Sequence, residues 1–185
     1  MNGSTKAIGV VHDVDENEKI LSIPYKASTI HCSLNSLAAS ILTTVMDVKC
    51  QCGTINFKTP TDQPKALYHC HCLECRKQSG SAFGTSAIFT SEGLIPFPED
   101  FAEKLGSWTR RGEESGGLQD CLFCLKCGNR VIHRQRNKEG SEGGTLSIKA
   151  GCIEGLNWTG GIHIFTKTAV VPIPEGAEQY EGAPP

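Results

Sequence analysis

The chain has 185 residues, 38% hydrophobic and 21% charged, a balance that excludes a disordered or fibrous polypeptide and suits one globular domain with a terminal extension. Eighteen basic side chains against twenty acidic ones give a formal net charge of -2, which excludes the overall field of a bulk nucleic-acid binder. Ten cysteines in this length need an explanation, because thiols at such density are a liability unless disulfides or metals occupy them.

From Met1 to Glu16 the sequence has no apolar core of the kind a secretory signal uses. The longest apolar stretch, Leu37 to Met46, is broken by Ser40, Thr43 and Thr44 and is too short to span a bilayer. An intracellular, cytoplasmic setting without membrane association is therefore expected, where clustered cysteines favour metal or redox chemistry over structural disulfides. Ala7–Val11 and Ile20–Ile23 read as a loose hairpin, and Ser28–Thr44 as a weakly helical run. Only Cys32 lies before Cys50, so a composition boundary falls there. It divides the chain into a dispensable N-terminal extension over residues 1–45, a compact domain over 46–170, and a flexible tail rich in Pro, Glu and Gly over 171–185.

The domain is a succession of short β-type runs separated by Gly, Pro and polar clusters: Thr54–Phe57, Ala66–His69, Thr85–Phe89, Leu118–Phe123, Arg130–His133, Leu146–Lys149 and Ile162–Phe165. The fold class is all-β. Leu73–Ser79, closed by Gly80, is expected to make one or two helical turns. Gly112–Gly117 and Lys138–Gly144 read as flexible loops.

Three cysteine clusters carry the chemistry: Cys50-Gln51-Cys52-Gly53, Cys70-His71-Cys72-Leu73-Glu74-Cys75 and Cys124-Leu125-Lys126-Cys127-Gly128. Two short chelating pairs, Cys50 with Cys52 and Cys124 with Cys127, supply the four soft ligands of a closed structural zinc site. Gly53 and Gly128 follow each pair, where positive φ lets the backbone turn around a metal. Cys70, Cys72 and Cys75 remain as three ligands in six residues, the number that leaves a zinc open to substrate. Three thiolates outweigh the two charges of Zn²⁺, which makes a weak activator of water and a better partner for a soft incoming sulfur. On spacing alone the triplet reads equally well as a second structural site completed by His69, His71 or Cys121. Arg76 and Lys77 can offset the triplet's negative charge or bind a substrate carboxylate. Cys32 and Cys152 read as buried or incidental thiols, and the run Arg130–Arg136 as a solvated strand edge rather than a nucleic-acid patch. Trp108, Trp158 and Phe83 read as core or pocket-wall residues.

The order Cys50-x-Cys52-Gly53, then Cys70-His71-Cys72-x-x-Cys75-Arg76-Lys77-x-x-Gly80-Ser81-x-Phe83, then Phe123-Cys124-x-x-Cys127-Gly128, then His163-Ile164-Phe165-Thr166-Lys167, resembles the family of glutathione-dependent formaldehyde-activating enzymes and centromere protein V. The resemblance covers about residues 47–168. It implies a β-tent fold of small antiparallel sheets gathered around a structural zinc. It likewise implies two zinc ions per chain: a structural one on Cys50, Cys52, Cys124 and Cys127, and a catalytic one on Cys70, Cys72 and Cys75. The reaction implied is formation of S-(hydroxymethyl)glutathione from glutathione and formaldehyde, a carbon–sulfur lyase step in reverse, with Arg76, Lys77, Ser79 and Ser81 as substrate-pocket residues. The chain departs from the pattern in carrying Thr168-Ala169-Val170-Val171-Pro172 where many relatives have a tryptophan, which leaves the thiol and the aldehyde open. Two rival readings stand beside the enzyme. One is a non-enzymatic zinc module that binds protein or chromatin, and the other an iron–sulfur site on the same thiolates.

Overall fold

Short β-runs gathered into two sheets set the architecture of the chain, whose computed structural model describes residues 44–112 and 116–185. The hairpin and helical run expected before residue 44, Cys32, and the middle of the Gly112–Gly117 loop lie outside the described residues. Nine strands are described: β1 (Asp47–Lys49), β2 (Asn56–Lys58), β3 (Ala66–Cys70), β4 (Gly84–Thr90), β5 (Leu105–Arg111), β6 (Leu118–Cys124), β7 (Arg130–Arg136), β8 (Glu142–Lys149) and β9 (Ile162–Ile164). Two short helices, α1 (Leu73–Ser79) and α2 (Glu99–Ala102), interrupt them. The all-β class is what the chain adopts. None of the described helices is long and apolar enough to cross a membrane.

β1 and β2 form a two-stranded sheet, and the other strands form one sheet in the order β5-β6-β7-β8-β4-β3-β9. All neighbours in it run antiparallel except β3 and β9, which pair in parallel with Cys70 opposite Ile164. Because side chains alternate across a strand, each strand gives one set to each face. Leu67, Ala87, Phe89, Leu122, Ile132, Leu146 and Ile148 form the apolar face, packed with Val48 of the small sheet and Ile55, just before β2, into the buried core. Ser86, Gln119, His133, Ser147 and Lys149 have the opposite parity and floor a cleft on the other face. A one-residue slip in register would exchange the two sets, so burial of the core also fixes what faces the cleft.

The run Arg130–Arg136 is neither a solvated edge nor a free basic patch, because β7 lies between β6 and β8. Its arginines are used internally. Arg130 stacks over Trp108, with its guanidinium carbon 5.6 Å from the ring centroid. Arg134 and Arg136 both hold Asp120, each with a contact of 2.7 Å, and the Thr109 hydroxyl donates to the same carboxylate at 2.7 Å. Burial alone would raise the Asp120 pKa, but hydrogen bonds from Arg136, Thr109 and Arg134 outweigh it and hold it at about 2. A lowered carboxylate pKa contributes stability above the unfolded value and loses it as pH falls through the folded one. Between about pH 4 and pH 2 the fold should therefore lose on the order of 2 kcal/mol that Asp120→Asn never had. Urea midpoints of both proteins at pH 7, above the range in which protonation would release metal from the thiolates, check this: the parent should be the more stable by about 2 kcal/mol.

The segment after residue 171 differs from the loose tail expected of its composition. Its backbone runs along β9, with the His163 N–H donating to the Glu178 carbonyl at 2.9 Å, the Tyr180 N–H to His163 at 2.8 Å and the Phe165 N–H to Gly182 at 3.0 Å. An edge strand offers unpaired donors and acceptors, and these satisfy them without regular strand periodicity. Trp108 and Trp158, expected in the core or a pocket wall, are each about half exposed.

Candidate metal centres

The four-cysteine cluster forms where two turns meet. Cys50 follows β1 and Cys124 ends β6, and each chelating pair turns through a glycine in the left-handed region, Gly53 at φ 74° and Gly128 at φ 73°. The Gly53 N–H donates to the Cys50 carbonyl at 2.9 Å and the Gly128 N–H to Cys124 at 2.8 Å. These turns aim four sulfurs into a volume in which all lie within 4.8 Å of one another. Cys52 Sγ is 3.6 Å from Cys50 Sγ and 3.8 Å from Cys124 Sγ. Tetrahedral ligation at a zinc–sulfur distance of about 2.3 Å places sulfurs about 3.8 Å apart, so the spacing fits that ion. The electrostatics fit as well. Hydrogen bonds from the Thr54 hydroxyl and backbone hold the Cys52 thiol down to about 6, whereas burial pushes the Cys124 thiol up to about 11. Four thiolates cannot share this space without a cation.

The triplet is built by β3 and the start of α1. Cys70 ends β3, and Cys72 is the N-cap of α1, its sulfur accepting from the Cys75 N–H at 3.4 Å. Gly80 closes the helix in the left-handed conformation at φ 58°, as its position predicts. The three sulfurs lie within 4.8 Å of one another, and no fourth His, Cys or carboxylate joins them among the described residues. Hydrogen bonds from Cys70 and Cys75, then from the Cys75 and Glu74 backbone, hold the Cys72 thiol at about 2, while its neighbour Cys70 is pushed upward by the same contacts.

The residues weighed as a fourth ligand turn elsewhere. His71 is fully buried, with Nε2 2.9 Å from His163 Nδ1 and its ring against Phe83. His69 Nδ1 meets the Thr85 hydroxyl at 3.0 Å, and the buried Cys121 thiol points to the Gln119 carbonyl at 3.7 Å. None of the nine described cysteines is in a disulfide. Cys152 is buried beside Ile153 in the core.

A cleft of about 930 Å³ opens at the triplet, lined at this end by Cys70, Cys72, Cys75, Ser86 and Lys149. Arg76, Lys77 and Ser79, the expected substrate-pocket residues, are not among those lining it. They lie on the outer side of α1: Arg76 reaches the Thr168 carbonyl at 3.4 Å, Lys77 pairs with Glu74 at 2.9 Å, and the Ser79 hydroxyl donates to the Phe83 carbonyl at 3.1 Å. Helical geometry explains the difference, since one face of α1 carries Cys72 and Cys75 inward and the next positions turn outward. Ser81 is exposed on that same outer side.

Two buried side chains at the cleft carry no motif and escape sequence reading. Lys149 is 8% exposed, its ammonium donating to Ser86 Oγ at 3.0 Å. Burial lowers its pKa, and the Cys75 and Cys70 sulfurs counter that. His133 lies between Gln119 Nε2, 2.8 Å from its Nδ1, and Gln78 Oε1, 3.1 Å from its Nε2. Burial first, then the positive charges of Lys149, Arg130 and Arg110, hold it far below its usual pKa. It is neutral, donating from Nε2 to Gln78 on α1, and so ties the helix of the triplet to the sheet. Only the period-two parity of β7 and β8, counted from the apolar Ile132 and Ile148, points both side chains toward the cleft face.

Fold and clusters together define a class: an all-β domain with one closed and one open cysteine site, each able to hold a metal ion. The model of the glutathione-dependent formaldehyde-activating enzyme family matches residues 45–168, and the chain belongs to that family. A search of curated proteins gives no match.

Proposed function

We propose that the protein is a zinc-dependent enzyme of the carbon–sulfur lyase type that joins or separates a thiol, glutathione or another, and an aldehyde. Two zinc ions per chain are part of this reading, a structural one on Cys50, Cys52, Cys124 and Cys127 and a catalytic one on Cys70, Cys72 and Cys75. The observation that carries it is the three-sulfur site opening into a cleft beside a buried lysine. Zinc at the triplet would supply a soft Lewis acid that lowers the pKa of a substrate thiol. In the cleaving direction the carbon–sulfur bond of R–S–CH₂–OH breaks, its electron pair stays on sulfur, and the hydroxyl proton leaves as the carbonyl forms. The chain must balance a negative site and handle that proton. Lys149 serves both needs: as ammonium, hydrogen-bonded to Ser86, its charge offsets the third thiolate and it donates the proton that the hydroxyl takes as the carbon–sulfur bond forms, and as amine, which its burial favours, it takes that proton back when the bond breaks. A cytoplasmic location suits this chemistry, since it keeps the thiols reduced.

Metal counting alongside glutathione titration tests the reading. Two zinc per chain with saturable glutathione binding is expected. Two zinc with no binding of any small thiol would replace the enzyme by a zinc-stapled binding module, and a visible absorption band in the purified protein would replace zinc by an iron–sulfur cluster.

A further inference from the structure

His71 is the only residue between Cys70 and Cys72, so any turn of its backbone moves two of the three sulfurs of the open site. The segment from β9 onward holds it at three points. Its N–H donates to the Ile164 carbonyl at 3.0 Å, its carbonyl accepts from the Thr168 hydroxyl at 3.0 Å, and its Nε2 lies 2.9 Å from His163 Nδ1. The ring is fully buried and does not line the cleft; it packs on Phe83, with the two ring centroids 5.2 Å apart. His71 and His163 are 92 residues apart in the chain, and neither joins a sulfur cluster. Their contact therefore ties together two stretches of the sequence motif that the metal ligands alone leave unexplained.

The direction of that contact follows from the other side of the His71 ring. Its Nδ1 is buried and has no hydrogen-bond partner among the described residues. A hydrogen on Nδ1 would be a buried donor with nothing to receive it, a costlier arrangement than a bare lone pair there. The hydrogen therefore sits on Nε2, and His71 donates to His163 Nδ1. The backbone of His163 has a separate task, pairing with Glu178 and Tyr180. A change confined to its side chain leaves that pairing in place.

We propose that His163 is a positioning residue for the metal triplet: its Nδ1, accepting from His71, fixes the link between Cys70 and Cys72 so that their sulfurs converge with that of Cys75. Partners of this outer kind change metal affinity by about ten- to a hundredfold. This inference rests on the reading of the triplet as a zinc site, and its test separates the two. The zinc-loaded full chain is titrated with a competing chelator, the triplet's ion being identified as the one that Cys72→Ser lacks. In His163→Leu, which keeps bulk and removes the acceptor, that ion should bind about ten- to a hundredfold more weakly, while the quartet holds its ion as in the parent. His163→Asn should restore most of the affinity, because its Oδ1 offers an acceptor in place of Nδ1. Nuclear magnetic resonance of the imidazole nitrogens in the parent, which needs no variant, should find His71 protonated at Nε2 and bare at Nδ1. Unchanged affinity in His163→Leu, loss of both ions there, an asparagine variant as weak as the leucine one, or a hydrogen on His71 Nδ1 overturns the positioning role and leaves the zinc reading standing. A parent chain from which Cys72→Ser removes no ion overturns the zinc reading of the triplet, and the positioning of that metal with it.

Discussion

Cys124→Ser is expected to abolish the cooperatively folded domain rather than weaken it. The residue is fully buried at the end of β6, and its site joins the turn after β1 to the turn between β6 and β7. Besides core packing of Val48 and Ile55, the two sheets are joined there by a bridge from Val48 to Ile153, the Glu154 N–H donating to the Asp47 carbonyl at 2.8 Å, and two exposed contacts, Lys49 with Glu154 and the Gln51 N–H donating to Asn129 Oδ1. A structural zinc contributes on the order of 10 kcal/mol, comparable to the whole stability of an ordinary domain, about 5–15 kcal/mol. Serine is a poor ligand for a soft site and leaves three converging thiols without their cation. Far-ultraviolet circular dichroism should show loss of the melting transition, with zinc content falling below two per chain. Cys152→Ser is the matched control, a buried thiol outside the quartet whose sulfur lies 3.5 Å from Asn129 Oδ1; its melting temperature should shift by a few degrees only. A Cys124→Ser protein that melted like its parent would remove the staple from the account of stability.

Cys72→Ser should do the opposite, leaving the fold and removing the activity by at least about a thousandfold. The separation is sharp because of the local structure. Cys72 caps α1 through its side chain, and serine is among the best N-cap residues, so the helix keeps its cap while the site loses a soft ligand. Zinc content should drop from two to one per chain. Lys149→Gln should keep both metals and lose activity by about a hundredfold, the usual worth of a positioned proton donor or fixed charge. Loss of both metals together with unfolding in Cys72→Ser would show that the two clusters are not independent and would defeat the assignment of separate roles.

Much of this was legible in the sequence because metal-binding turns are local. Cysteine spacing, the glycine after each pair and the Gly80 helix stop are chemistry within a few residues, and each lies where its pattern predicts. Seven strands read from β-type runs all appear, whereas β1, only three residues long, and β5, with its glycine, serine and two arginines, carried no apolar run to reveal them. For a different reason Arg76, Lys77 and Ser79, expected beside the substrate, do not line the cleft. They adjoin the triplet in sequence, but a helix separates sequence neighbours onto different faces. The residues that do face the triplet, Lys149 and Ser86, come from strands more than sixty positions apart that only the sheet brings together. The C-terminal segment misleads through composition, since Pro and Gly predict the absence of regular structure and not the absence of hydrogen bonds.

The parallel pairing of β3 with β9 also sets an order in time. All four sulfurs of the closed site exist once residue 127 has been made, whereas the strand that backs Cys70 begins 35 residues later, at 162. At about 5–20 residues per second of synthesis the gap is a matter of seconds. The sheet that carries the staple can therefore assemble on the nascent chain while Cys70, Cys72 and Cys75 still lack their backing strand. The open site is thus completed after the closed one, and metal reaching the chain during its synthesis meets all four sulfurs of the quartet before it meets a triplet with its backing strand in place.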